Sequence, residues 1–154
     1  MNNQNKIEET FCVDDLLSEL QTEVKQKLQN AGKSDVDVDI LTYTDKYVCH
    51  IRADRKLLRQ VFVLLLDDAV KSIESGLIIF GYFVMDTNLV DFFVDDTRIT
   101  TCGNTAHDLS PVRNLLKPIG SRLKKSTIGM GCSLRFSIKS EHIAMNLVQE
   151  TKLA

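Results

Sequence analysis

No apolar run in this 154-residue chain approaches the roughly 20 residues that a membrane-spanning helix needs. No apolar core follows the polar opening Met1-Asn2-Asn3-Gln4-Asn5-Lys6, so a signal peptide is not expected either. The four cysteines, Cys12, Cys49, Cys102 and Cys132, include no C-x-x-C pair. That spacing argues against a zinc or dithiol motif and predicts buried free thiols in a reducing compartment, with no metal site. Basic charge is not in surplus: 19 Lys and Arg against 21 Asp and Glu leave a formal net charge of −2. A phosphate-backbone binder normally carries a basic face, so a nucleic-acid partner is not expected. Repeats and low-complexity segments are absent too. What remains is one cytoplasmic domain, long enough to bury a core.

Periodicity orders the chain. Residues 1–10 are polar and expected to be loose. Val13, Leu16, Leu17, Leu20, Val24 and Leu28 recur at helical spacing, and Gly32 is placed to stop that helix. Val36 to Ile40 alternates strictly and reads as a half-buried strand, with Asp37 and Asp39 on its solvent face. Tyr47 to Ile51 is a second short strand. Asp54 is a candidate N-cap for a helix whose apolar face runs Leu58, Val61, Phe62, Leu65, Ala69 and Ile73, ending at Ser75-Gly76. Two strands rich in Ile, Phe, Tyr and Val follow, Leu77 to Val84 and Leu89 to Val94. Cys102 to Asp108 reads as a loop. Ser110-Pro111 predicts a helix start with a hydroxyl cap, and Pro118 and Gly120 end it. A closing hairpin is expected over about 121–126 and 132–139. The tail 140–154 shows helical periodicity at Ile143 and Leu147. The expected fold is α+β: a two-layer sandwich with helices on one face of a mixed sheet, domain limits 11–139.

Within the second helix, Leu58-Arg59-Gln60-Val61-Phe62-Val63-Leu64-Leu65-Leu66-Asp67-Asp68-Ala69-Val70-Lys71 resembles the first ATP-site motif of the bacterial sensor histidine kinases, L-x-Q-V-L-x-N-L-L-x-N-A-x-K. Gly81-Tyr82-Phe83-Val84 followed by Leu89 to Thr97 is similar to their F-G-Y…L-x-F-F-V-x-D-T-G-x-G-I stretch. The resemblance covers about residues 10–139 and implies the GHKL-type ATPase domain, or Bergerat fold.

It also shows what has changed. The two asparagines of the helix motif are Leu64 and Asp68, and Lys71 stands where the family keeps lysine. Asp96 takes the place of the aspartate that accepts a hydrogen bond from adenine. The glycines beyond it have become Arg98 and Thr100. A guanidinium there could fill the adenine slot, or pair with Asp68 or Asp96. Two alignments of the phosphate loop compete. One uses Gly129-Met130-Gly131, with the last two strands missing. The favoured one uses residues 104–110 and makes 129–136 the closing hairpin, so the lid is lost and Ala106 and Asp108 replace the phosphate glycines. His50, His107 and His142 lack the phosphoacceptor setting, so no catalytic residue is expected. Asp68, Lys71, Asp96 and Arg98 are the candidate remnants of a nucleotide pocket.

Three readings stay open. The first is a pseudo-ATPase that needs no cofactor and works through a protein partner, a kinase or a response regulator. The second is an ATP- and Mg-binding catalytic domain of a split sensor kinase or an anti-sigma-type kinase. The third is a site for an anionic metabolite built around Arg98.

Overall fold

The computed structural model describes residues 7–42, 46–99, 108–126 and 131–148. Three helices, α1 (Val13–Asn30), α2 (Arg55–Ser72) and α3 (Ser110–Leu116), pack on one face of a five-stranded mixed sheet. Its strands are β2 (Val36–Leu41), β4 (Gly76–Asp86), β5 (Leu89–Asp96), β6 (Lys124–Ser126) and β7 (Cys132–Lys139), in spatial order β2-β4-β5-β7-β6. Only β2 and β4 run parallel. The α+β two-layer expectation holds. A second sheet of three strands adds to it: β1 (Glu9–Cys12), β3 (Tyr47–Ala53) and β8 (Ile143–Leu147), with β3 in the middle.

The core follows from the helical spacing. All six apolar positions named for α1 are buried, as is the whole apolar stripe of α2. Asp54 caps α2, its side chain accepting from the Leu57 N–H at 3.1 Å. Phe62 enters a ring cluster with Phe80, Phe92 and Phe136, its centroid 6.0, 5.7 and 5.6 Å from theirs. Such tilted and edge-on contacts add to simple area burial, and they fix α2 against β4, β5 and β7. Along the outer side, α1 and α2 share three ion pairs: Glu19 with Arg55, Glu23 with Arg59, and Lys27 with Asp67. These are partly exposed, so each contributes little alone.

Asp14 joins the layers. One carboxylate oxygen accepts from the Cys49 N–H of β3 and from the Tyr82 hydroxyl of β4, both at 2.8 Å. Burial pushes the Cys49 thiol up to about 12. Burial also raises Tyr82, and its hydrogen bond to Asp14 adds to the effect. Asp14→Ala leaves two donors without an acceptor and is expected to cost about 2–4 kcal/mol in urea denaturation. Tyr82→Phe should cost closer to ~1 kcal/mol. Equal losses from the two changes would contradict this bridging role.

Several expectations need correction. Glu9–Cys12, partly inside the segment taken as loose, is a strand paired with β3. The tail periodicity is not helical: Ile143–Leu147 is β8, also paired with β3. The second helix ends at Ser72, short of Ser75-Gly76. In α3 the residue Ser110 is already helical, and Asp108 makes the capping contact, accepting from the Ser110 N–H at 2.9 Å. Cys12 and Cys49 are free thiols, but Cys132 is disulfide-bonded, against the expectation for all four. Cys102 lies outside the described residues.

Candidate functional site

Asp68, Asp96 and Arg98 converge at the end of the sheet. Asp68 sits near the C-terminal end of α2, six residues after Phe62, and Asp96 is the last residue of β5. Arg98 leaves the strand two residues later and turns back across both. Its backbone N–H donates to Asp96 Oδ1 at 2.9 Å, and its Nε donates to the same oxygen at 2.8 Å. Its Nη2 donates to Asp96 Oδ2 at 2.7 Å and to Asp68 Oδ2 at 2.8 Å. The three side chains are 0 %, 1 % and 3 % exposed for Arg98, Asp96 and Asp68.

A guanidinium fits a carboxylate edge to edge, which explains why Asp96 takes the bidentate contact and Asp68 the single one. Burial alone would lower the Arg98 pKa, but the hydrogen bonds it donates to Asp96 and then Asp68 outweigh it and raise the value. Arg98 therefore stays charged. Two atoms within the triad have no hydrogen-bond partner among the described residues, Asp68 Oδ1 and Arg98 Nη1. This pairing also removes the basis for an anion held by Arg98, because two carboxylates already neutralise the cation.

Lys71, the fourth candidate, is not part of the triad. It is exposed one turn beyond Asp68 and makes no ion pair among the described residues. It does line, with Asp67, Asp68 and Asp108, a small cavity of about 250 Å³ between α2 and the start of α3. Asp67 and Asp108 were not among the candidates. Asp67 is paired with Lys27. The pKa of Asp108 is lowered by its hydrogen bonds with Ser110, with Arg113 nearby adding to the effect. Among the described residues, no three His, Cys, Asp or Glu side chains are placed to hold a metal ion.

The two phosphate-loop alignments differ in what they make of residues 129–136. Gly131 has φ +115°, and a Cβ there would lie 2.4 Å from the Asp96 carbonyl oxygen. Glycine is required at that point for β7 to approach β5. Cys132–Lys139 then pairs with both β5 and β6, as the closing hairpin demands. Residues 101–107, including His107 and most of the favoured phosphate-loop segment, lie outside the described residues. His50 on β3 shares a 2.9 Å hydrogen bond with Asn146 of β8, and the backbone carbonyl of His142 accepts from Arg52 and Ser140.

No protein-family model matches this sequence, and no curated protein matches it. Solved structures do. Full-length ShkA in complex with AMPPNP superposes with TM-score 0.76 at 18% identity, over 93% of this chain and 33% of that one. The catalytic domain of histidine kinase ThkA gives 0.69 at 20%, over 86% of this chain and 95% of that one. ThkA in complex with the response regulator protein TrrA gives 0.67 at 18%, over 86% and 42%. The chain thus spans a third of ShkA and nearly all of the isolated ThkA domain. It has the fold of a histidine-kinase ATPase domain. Among the described residues, no helix is long and apolar enough to cross a membrane.

Proposed function

We propose that this chain is a pseudo-ATPase: a histidine-kinase-like domain that has given up nucleotide binding and acts through protein contacts in two-component-type signalling. One observation carries the reading. Both oxygens of Asp96, the residue standing where the fold's adenine acceptor stands, are taken by Arg98. An adenine amino group would have to displace a buried, charge-assisted bidentate contact, which is worth more than the neutral hydrogen bond it would gain. Asp68, in the place of the metal-holding asparagine, has one oxygen committed to the same guanidinium. ATP and Mg²⁺ therefore do not fit the residues present, and no cofactor is needed for a role in binding.

The partner we infer is a protein of the same signalling class, a response regulator or a sensor kinase. The support is the fold together with ThkA, which is similar to this chain and was solved in complex with a response regulator. Calorimetric titration with MgATP and MgADP tests the core of the proposal. No heat up to millimolar nucleotide is the expected result. Micromolar binding would return the protein to the catalytic class, as the working half of a split kinase.

A further inference from the structure

The face of the five-stranded sheet turned away from the helices divides by charge. Carboxylates stand on β2 and β5: Asp37, Asp39, Asp91 and Asp95. Cations stand on β7 and β6: Arg135, Lys139 and Lys124. Alternation along the strands puts all seven on the same face, opposite the buried Val38, Phe92, Leu134 and Phe136. None of the seven takes part in an ion pair among the described residues. Among the described residues, Asp91 accepts from the Ser137 hydroxyl alone, and Asp95 Oδ1 is buried with no hydrogen-bond partner. Arg135 and Lys124 lie directly opposite each other on adjacent strands, an arrangement that costs free energy in an isolated sheet.

Between the two halves the face is apolar. Phe93 lies opposite Gly81, stacks on Phe83 with centroids 5.3 Å apart, and is itself buried. Arg135 lies over the Phe93 ring at 6.0 Å. Phe83 is 37% exposed and Met85 59%. Lysine on an edge strand such as β6 is a common guard against edge pairing. That explanation does not reach Arg135, which is on an interior strand and points from its face.

We propose that this face is a self-complementary contact for a second copy of the chain. A two-fold axis parallel to the strands, running between β5 and β7, lays β5 of each copy over β7 of the other. Asp91 and Asp95, two residues to either side of the level of Arg135, then flank Arg135 of the second copy. β4 covers β6, so Phe83 packs on the aliphatic stem of Lys124, whose length lets its ammonium reach toward Asp39. A two-fold contact requires one patch to complement itself. An acidic half beside a basic half, with an apolar seam, meets that requirement. Overlap of four strands covers roughly 19 Å by 17 Å, an area typical of weak, transient contacts.

Sedimentation velocity of the whole chain in low salt tests this, at concentrations up to ~1 mM. A monomer–dimer equilibrium that weakens with added NaCl is expected. Lys124→Glu/Arg135→Glu makes the centre of the face acidic, and Asp39→Lys/Asp91→Lys makes it more basic; circular dichroism checks that each folds. Either variant alone should dimerise at least tenfold more weakly, and an equimolar mixture should regain association. Asp37→Lys/Asp39→Lys, on exposed positions, serves if the Asp91 change perturbs the sheet. A chain monomeric throughout, a dimer indifferent to both reversals, or a mixture that stays monomeric would each overturn the proposal. The outcome is independent of the nucleotide titration.

Discussion

Arg98→Met is expected to destabilise the protein by about 3–5 kcal/mol, because it leaves two carboxylates buried with no cation between them. For a domain of this size that corresponds to a fall of roughly 10 °C in the thermal midpoint. The deficit should depend on pH in a direction that identifies its cause. Two adjacent desolvated carboxylates hold protons more tightly than the unfolded chain does, so their folded pKa rises above the unfolded value of about 4. A group with a raised folded pKa stabilises the folded state as pH falls, so the deficit should shrink between about pH 7 and pH 5. Replacing all three side chains together by apolar ones of similar size should cost far less than Arg98→Met alone. Thermal melts across that pH range measure both effects. A loss below about 1 kcal/mol, or one constant with pH, would mean that the carboxylates are not confined as described.

The converse experiment removes the guanidinium and restores what it displaced. Asp68→Asn with Arg98→Gly rebuilds the asparagine and the first glycine of the sequences this chain resembles, and releases both Asp96 oxygens from the guanidinium, leaving only the residue-98 backbone N–H on Oδ1. The double variant should fold better than Arg98→Gly alone, since one buried carboxylate has gone, and the two changes should be strongly non-additive. It should also show heat with MgADP where the parent shows none, and that heat should vanish on adding Asp96→Asn. The second loss matters most, because it ties binding to the adenine acceptor. If the folded double variant remains silent at millimolar nucleotide, the obstruction lies beyond Arg98, and the reading of this slot as the decisive block fails.

What could be seen in the sequence depended on how many residues carried each signal. In α2 a long apolar stripe at helical spacing and a capping Asp54 all agreed, so helix, buried face and site position emerged together. In β8 the two residues noticed, Ile143 and Leu147, are four apart, and four is a whole number of repeats for a strand and about one turn of a helix. Met145, between them, carries the strand signal. β1 is four residues with one buried side chain, Phe11, too short for any period to show. The neighbours of Arg98 were readable as possibilities because the resemblance placed three charged residues around one slot. That both carboxylates are engaged at once is a matter of packing, which no spacing encodes. The role of Asp14 was invisible for the same reason: its partners are 35 and 68 residues away.

β3 has neighbours drawn from opposite ends of the chain, Glu9–Cys12 on one side and Ile143–Leu147 on the other. During synthesis it therefore waits with one flank bare, since β8 begins 90 residues beyond the end of β3. Closing a loop of that length is entropically slow and comes before any reward from the pairing. A nascent or truncated chain ending before Ile143 would present β3 as an unpaired template, with Cys49 and Ile51 behind it. The small sheet, more than the large one, is thus where misassembly during biogenesis would begin.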